Sequence, residues 1–282
     1  MSLIITGATG KLGRLVVDSL LANGTAASDI IATGRSTEKL ADLAAQGVTV
    51  AELDYSQPET VSAVVKPGDT LLLVSASEPG GRADLHAAVI AAAKEAGVAR
   101  IVYTSAPKAT TSELVLAPDH KATEEVLVAS GVPFTILRNG WYTENYAGEI
   151  DKARESGAIV ASVGEGRVAS ASRKDYADAA AVVLAGAGHE GAIYELSGDT
   201  AWSFDDLAAV IAGLVGRDVV FTNLTPEEHT ALLVSFGLDA GTAGFVVALD
   251  GNIRDGILAE TSGDLARLIG RPTTPLAEGL AA

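Results

Sequence analysis

The sequence predicts an α/β protein: a doubly wound parallel sheet with a smaller α/β lobe in the C-terminal half. Three observations predict it. Short β-rich runs alternate about six times with amphipathic, alanine-rich segments through the first half. A glycine-rich turn joins the first run to the first amphipathic segment. Near Ile159 this rhythm gives way to shorter, mixed elements.

In chain order, residues 3–6 read as a buried strand and 11–23 as a helix, with Leu12, Leu15, Val16 and Leu20 at helical spacing. Residues 30–33 are the second strand, a helix around 37–45 ends at Gly47, and 48–53 are the third strand. Pro58 opens the next helix, as a first-turn proline should, and the helix runs to about Val65. The turn Pro67-Gly68-Asp69 leads into residues 70–74, apolar enough for burial on both faces. A helix over 83–96 is stopped by Gly97, and a strand follows over 100–104. A helix over 119–130 is ended by Gly131, and 133–137 form the sixth strand. Beyond it, Gly164-Glu165-Gly166 reads as a tight turn between two short β runs, and Asp175 is expected to cap a helix to about Ala185. Residues 193–196 are a strand that can return to the main sheet, Ser203 caps a further helix, and 218–222 form another β run.

Composition removes several classes of function. With 20 Lys+Arg against 36 Asp+Glu, the net charge of −16 repels nucleic-acid backbones and anionic lipid. The absence of cysteine excludes disulfides, a thiolate nucleophile and Cys-ligated metals, and it fits a reducing cytoplasm. The four histidines show no metal-ligand spacing, so no metal site is expected. No apolar run approaches the ~20 residues that span a bilayer. A secretory signal is not expected either, because the strand-like run from Leu3 leads directly into the glycine-rich turn.

That turn, Thr6-Gly7-Ala8-Thr9-Gly10-Lys11-Leu12-Gly13, carries the first functional signal. Gly7 suits the tight turn, Gly10 lets the main chain approach a pyrophosphate, and Gly13 lets helix and strand pack closely. The helix N-terminus offers N–H groups and its dipole to phosphates. A ligand-free turn is the plain alternative, but the strand–turn–helix setting favours a dinucleotide and a Rossmann-type lobe. The second strand ends Thr33-Gly34-Arg35-Ser36. An acid there would bond the ribose 2′-hydroxyl of NAD, whereas Arg35 suits a 2′-phosphate, so NADPH is the expected cofactor. After the third strand, Asp54-Tyr55 is placed to meet the adenine, or Asp54 caps the next helix.

ITGATGKLG at the start, the Gly34-Arg35 pair, LLLVSASE (71–78), YTS (103–105) and RNGWYTENY (138–146) resemble the NmrA-like branch of atypical short-chain dehydrogenases. Within that branch they resemble the NADPH-dependent quinone oxidoreductase type 2 group, to which the triphenylmethane dye reductases are similar. The likeness continues through ASASRKDYADAA, GAIYELSG and LIGRPTTPLAE. It implies an NADPH-binding lobe over 1–156 with about 174–198, and a discontinuous substrate lobe over about 157–173 and 199–282. It also implies flavin-free reduction of quinones, with cationic dyes as a further class and a homodimer among the allowed assemblies. By motif position, the implied cofactor contacts are Gly7, Ala8, Thr9, Gly10, Lys11, Leu12, Gly13 and Arg35, then Ser75, Ala76, Ser77, Asn139, Gly140 and Trp141, with Arg173 added and Asp54 near the adenine. A planar quinone is expected against Trp141, Tyr142 and Asn145, with Asn145 and Tyr142 in the catalytic roles; Trp141 and Tyr142 as core residues under the small lobe are the alternative.

The usual Tyr-x-x-x-Lys dyad is missing. Its positions hold His120 and Glu124, while Ser105 fits the serine position. Either Asp119, His120 and Glu124 form an ordinary helix start, or His120 donates a proton steadied by Glu124. The missing dyad divides an enzyme for acceptors that need little acid catalysis from a dinucleotide-sensing regulator without turnover. A ketone or isoflavone-type reductase using Lys121 as the acid is a third reading.

Overall fold

The computed structural model describes residues 1–76 and 81–281. Its first half runs β1 (Leu3–Ile5), α1 (Lys11–Ala22), β2 (Ile30–Gly34), α2 (Ala41–Ala45), β3 (Thr49–Glu52), α3 (Pro58–Val64), β4 (Thr70–Leu73) and α4 (Arg82–Glu95). It continues with β5 (Arg100–Ser105), α5 (Ala117–Ser130), β6 (Phe134–Asn139), α6 (Ala147–Ser156), β7 (Ala158–Ala161), β8 (Arg167–Val168), α7 (Arg173–Ala185) and β9 (Ile193–Leu196). The chain ends with β10 (Trp202–Ser203), α8 (Phe204–Val215), β11 (Val220–Asn223), α9 (Pro226–Ser235), α10 (Ala240–Arg254), α11 (Asp264–Ile269) and α12 (Leu276–Ala281).

Among the described residues the main sheet has seven strands in the order β3-β2-β1-β4-β5-β6-β9, all parallel. The order reverses between β1 and β4, and that switch point places a crevice beyond the strand ends. β9 pairs with β6 in register Ile136 with Ile193, so residues 193–196 do return to the main sheet. Both faces are covered, which explains why β4 and β5 are buried along their whole length. On one face α1 and α7 pack together, with Val16, Val17 and Leu20 joining Ala177, Ala180 and Val183 in one core. On the other, Val61, Val89, Ile90 and Leu127 cover Leu71, Leu73 and Tyr103. A third core gathers Ala153, Ile159, Trp202, Phe204, Leu207, Ile211 and Ile253 in the C-terminal half.

Four details depart from the sequence reading. The helix expected over 37–45 is a 3-10 turn (Thr37–Leu40) followed by α2. α5 begins at Ala117, two residues early, because Pro118 fits a first turn. The N-cap of α7 is Ser172, whose hydroxyl accepts from the Asp175 N–H, so Asp175 sits inside the first turn and is not the cap. Its buried carboxylate instead accepts the Thr274 N–H at 2.8 Å and pairs with Arg271 at 2.7 Å, tying down the C-terminal tail. The two β runs flanking 164–166 are present as expected, β7 paired with β11 and β8 with β10. Helix α6 was not foreseen, since it buries only Ala153 and carries no apolar stripe. Ser203 caps α8 as expected, in a capping box with Asp206.

Candidate active site

The site starts at the turn after β1. Gly7 has φ +60°, a left-handed angle that a side chain would strain. A Cβ on Gly13 would lie 2.4 Å from the Gly7 carbonyl oxygen and 2.9 Å from the Ala8 nitrogen, so the close packing of α1 on this turn requires glycine. Gly10 is the N-cap of α1, no side chain caps the helix, and no acid stands in its first turn. That end of α1 therefore presents N–H groups and positive dipole for an anion to satisfy.

From this turn a cleft of about 860 Å³ runs across the strand ends. Of the residues expected at the site, Gly7, Thr9, Gly10, Lys11, Leu12, Gly13, Arg35 and Asp54 line one half. Ser75, Ala76, Asn139, Gly140, Trp141, Tyr142, Asn145 and Arg173 line the other. Ala8 is buried behind the turn, with its N–H donated to the Thr33 carbonyl at 2.8 Å. Ser77 lies outside the described residues. The cleft also takes in Arg82, Leu85, Leu114 and Leu116, which the sequence reading missed. Arg82 was findable, because it opens the helix after β4 and the residues following strand ends face the crevice. Leu85 lies on α4 one turn from Arg82, and Leu114 and Leu116 come from the loop before α5, whose spacing signals nothing.

The charge of the lining inverts that of the protein. Among the described residues, Lys11, Arg35, Arg82 and Arg173 face the cleft against the single carboxylate of Asp54, in a chain of net charge −16. The Asp54 carboxylate accepts from the Ser56 N–H at 2.9 Å and the Ser56 hydroxyl at 2.8 Å; these bonds hold its pKa below the ordinary range. It thus shapes the turn into α3 while bordering the cleft.

At the far end, Asn145 is exposed and its Oδ1 accepts from Arg173 at 3.4 Å, which leaves its amide N–H groups to donate elsewhere. The Arg173 guanidinium stands 5.0 Å over the Tyr142 ring, and Tyr176 meets that ring edge-on. Burial pushes the Tyr142 phenol up. Trp141 and Tyr142 are half-buried: each lines the cleft and also packs against a core. Asn139 is buried, and its Oδ1 has no hydrogen-bond partner among the described residues.

His120 lines the cleft, but its partners are Arg82 and Tyr103. Arg82 Nη1 lies 3.2 Å from His120 Nε2, and Tyr103 Oη lies 2.8 Å from Nδ1. A guanidinium can only donate, so Nε2 must carry the lone pair and Nδ1 the proton. Burial, then the adjacent Arg82 charge, pushes the His120 pKa down to about 3. Glu124 does not reach His120. Its carboxylate accepts from Ser105 Oγ at 2.6 Å and from Arg138 at 2.6 and 2.9 Å, in a buried pair that Arg138 extends to Glu195. The proton donor steadied by Glu124 is therefore not the arrangement present. Lys121 is exposed on α5 and does not border the cleft.

These features can be set beside known proteins. The profile of a family described as NAD(P)H-binding matches residues 7–187. Quinone oxidoreductase 2 of Escherichia coli K12 is 46% identical over 276 residues, covering 98% of this chain and 96% of that one. The solved structure of an NADPH-dependent quinone oxidoreductase from Escherichia coli, complexed with NADPH, superposes with TM-score 0.94 at 45% identity, covering 99% of this chain and 98% of that one. The triphenylmethane reductase of Citrobacter sp., complexed with NADP(H), superposes with TM-score 0.93 at 39% identity, covering 99% of each chain.

Proposed function

The chain belongs to the NAD(P)H-binding family, and from that membership we propose that it is a flavin-free, NADPH-dependent reductase of quinones, of the atypical short-chain dehydrogenase type, with cationic dyes as a further acceptor class. One observation carries the reading. A single cleft joins the uncapped N-terminus of α1 to a wall of flat rings and amides over residues 139–145, so an anionic dinucleotide and a planar acceptor can lie end to end.

The residues present fit the dinucleotide. Gly7, Gly10 and Gly13 leave room for its pyrophosphate at α1, Lys11 adds charge there, and Arg35 is assigned to the 2′-phosphate. The orphaned Asn139 Oδ1 needs a donor, and the nicotinamide carboxamide is the donor we assign to it. NADPH bound in this way supplies a hydride at C4 of its nicotinamide.

The chain itself then positions and excludes. Ser105 gives its proton to Glu124, so its hydroxyl can only accept from a group in the cleft. Asn145 is the assigned donor to a quinone oxygen, with Arg173 fixing which end of the amide faces the acceptor. Because Arg173 covers one face of Tyr142, Trp141 is the ring assigned to stack on the acceptor, and Tyr142 is its support. No dedicated acid is required, since the anion of a hydroquinone is spread over an aromatic ring and water can protonate it. The cytoplasm is the compartment we assign, and the lobes over 1–156 with 174–198 and over the remainder are assigned to cofactor and acceptor.

Adding a simple quinone to protein and NADPH, and following the loss of NADPH absorbance, tests the reading. Turnover well above the protein-free rate, without added flavin, is expected. Tight NADPH binding with no turnover on any quinone would favour the dinucleotide-sensing regulator instead.

A further inference from the structure

Among the described residues four cations face the cleft, and the sheet order separates the tasks assigned to them. Lys11 and Arg35 follow β1 and β2, where the phosphates are assigned, and Arg173 is occupied with Tyr142 and Asn145. Arg82 stands apart. It opens α4 after β4 and is tied through His120 to β5 and α5, on the acceptor side of the switch point.

Among the described residues, the groups around Arg82 leave it as the one charge facing the cleft on this wall. His120 is held neutral with Nε2 accepting from it. Burial raises the Tyr103 phenol, so it too stays neutral. His86, buried on α4 one turn along, accepts the Ala76 N–H on Nε2, and burial pushes its pKa down to about 4. The Glu124 carboxylate is consumed by Ser105 and Arg138. Arg82 Nε, moreover, is buried without a hydrogen-bond partner among the described residues. A guanidinium pinned on one side by a neutral imidazole, with a donor unspent and no counter-ion among the described residues, is arranged to receive an acceptor oxygen that is becoming negative.

Building on the quinone-reductase reading, we propose that Arg82 is a catalytic residue that stabilises the oxyanion of the reduced acceptor and thereby sets a preference for quinones over cationic acceptors. The C–H bond at C4 of NADPH breaks and its hydride joins the quinone, leaving NADP⁺ and the hydroquinone monoanion. Arg82 faces that anion, which then takes one proton from water. A cationic dye takes the hydride on its central carbon and becomes neutral, so Arg82 opposes its binding and gains nothing in its reduction. His120 acts through Arg82 as a positioning residue.

The test compares full-length wild-type protein with Arg82→Gln and Arg82→Lys. NADPH affinity is measured by fluorescence titration, and kcat/KM with para-benzoquinone and with crystal violet. Binding of para-nitrophenolate, a stable phenolate, is measured on the NADP⁺ complex. Arg82→Gln should lower quinone kcat/KM about thirtyfold and weaken the phenolate about tenfold, the scale of one lost charged hydrogen bond. Crystal violet reduction should hold or rise, NADPH affinity should stay within about twofold, and Arg82→Lys should recover most of the quinone rate. Equal losses with quinone and dye, NADPH affinity reduced about tenfold, or unchanged phenolate binding would each overturn the assignment while leaving the reductase reading intact. Wild-type protein that binds NADPH but reduces no quinone would overturn that reading, and the proposed role with it.

Discussion

The two ends of the cleft are built by different means. The end assigned to the phosphates is built from main chain: a turn of three glycines, an uncapped helix and one carbonyl–Cβ distance that no side chain satisfies. The end assigned to the acceptor is built from side chains, drawn from β5, α4, α5, the residues after β6 and the start of α7, which lie up to about a hundred residues apart in the sequence. A main-chain site tolerates almost no substitution at its glycines and is indifferent to the side chains beside them. A side-chain site distributes its energy over several contacts, so single changes there should cost less and be more selective.

The sharpest break of that contrast is Gly13→Val. Its Cβ meets backbone atoms, which have no rotamer to yield, so the turn must move away from α1. NADPH affinity is expected to fall at least about a hundredfold, near 2.7 kcal/mol, by fluorescence titration on protein whose circular dichroism still shows a folded sheet. Retained affinity would mean that the phosphates are held elsewhere.

At the other end, Asn145→Ala should lower kcat for a quinone about twentyfold while leaving NADPH affinity unchanged, because it removes one donor to the acceptor and nothing from the phosphate site. Asn145→Asp keeps the shape and removes the N–H, so it should behave alike. If NADPH affinity falls and kcat does not, Asn145 belongs to the cofactor and the boundary between the ends is misplaced.

The difference between the ends also decides what the sequence made legible. The geometry of Gly7, Gly10 and Gly13 and the place of Arg35 on the cleft could be read because they depend on neighbours within one β-α unit, where spacing along the chain is spacing in space. The wall over 139–145 was found through its motif, since nothing in Trp141-Tyr142-Thr143 distinguishes cleft from core, and both residues turn out to serve both. Arg82 was passed over because its meaning depends on His120, 38 positions away, and on the direction of one hydrogen bond. Glu124 was misread for the same reason: Arg138 and Ser105, on two different strands, claim its carboxylate. The cap at Ser172 turns on a subtler point: serine and aspartate are equally good caps, and only the bond from the Asp175 N–H to the Ser172 hydroxyl decides between them.

A smaller effect probes the phosphate end where it does depend on a side chain. NADPH should bind at least about tenfold more tightly than NADH, about 1.4 kcal/mol, and Arg35→Ala should remove most of that preference. Arg35 is exposed, so added salt should narrow the gap in the wild-type protein and leave the variant unaffected. Equal affinities for the two cofactors would detach Arg35 from the 2′-phosphate without disturbing the glycine turn.

The smallest effect is expected at the residue that looks most catalytic. A general acid contributes about 10²–10⁴ to a rate and works best with a pKa near the working pH. His120 sits at the dyad position, yet burial and Arg82 hold it near pKa 3, so at neutral pH it has no proton on Nε2 to give. His120→Ala should therefore cost less than about tenfold in quinone turnover, through loosened placement of Arg82 alone, and kcat from about pH 6 to 9 should show no limb that the substitution removes. The same shift has a stability signature of definite sign. Its native pKa of about 3 lies below the ordinary 6.5, so the unfolded chain binds a proton that the native protein refuses, and stability falls as pH drops from 6.5 toward 3. His120→Ala should flatten that acid limb in denaturant titrations, although His86, held near pKa 4 in the same core, keeps part of it. A hundredfold loss of turnover with NADPH affinity intact would restore a dedicated proton donor to the acceptor end, and the division of labour between the two ends would have to be redrawn around it.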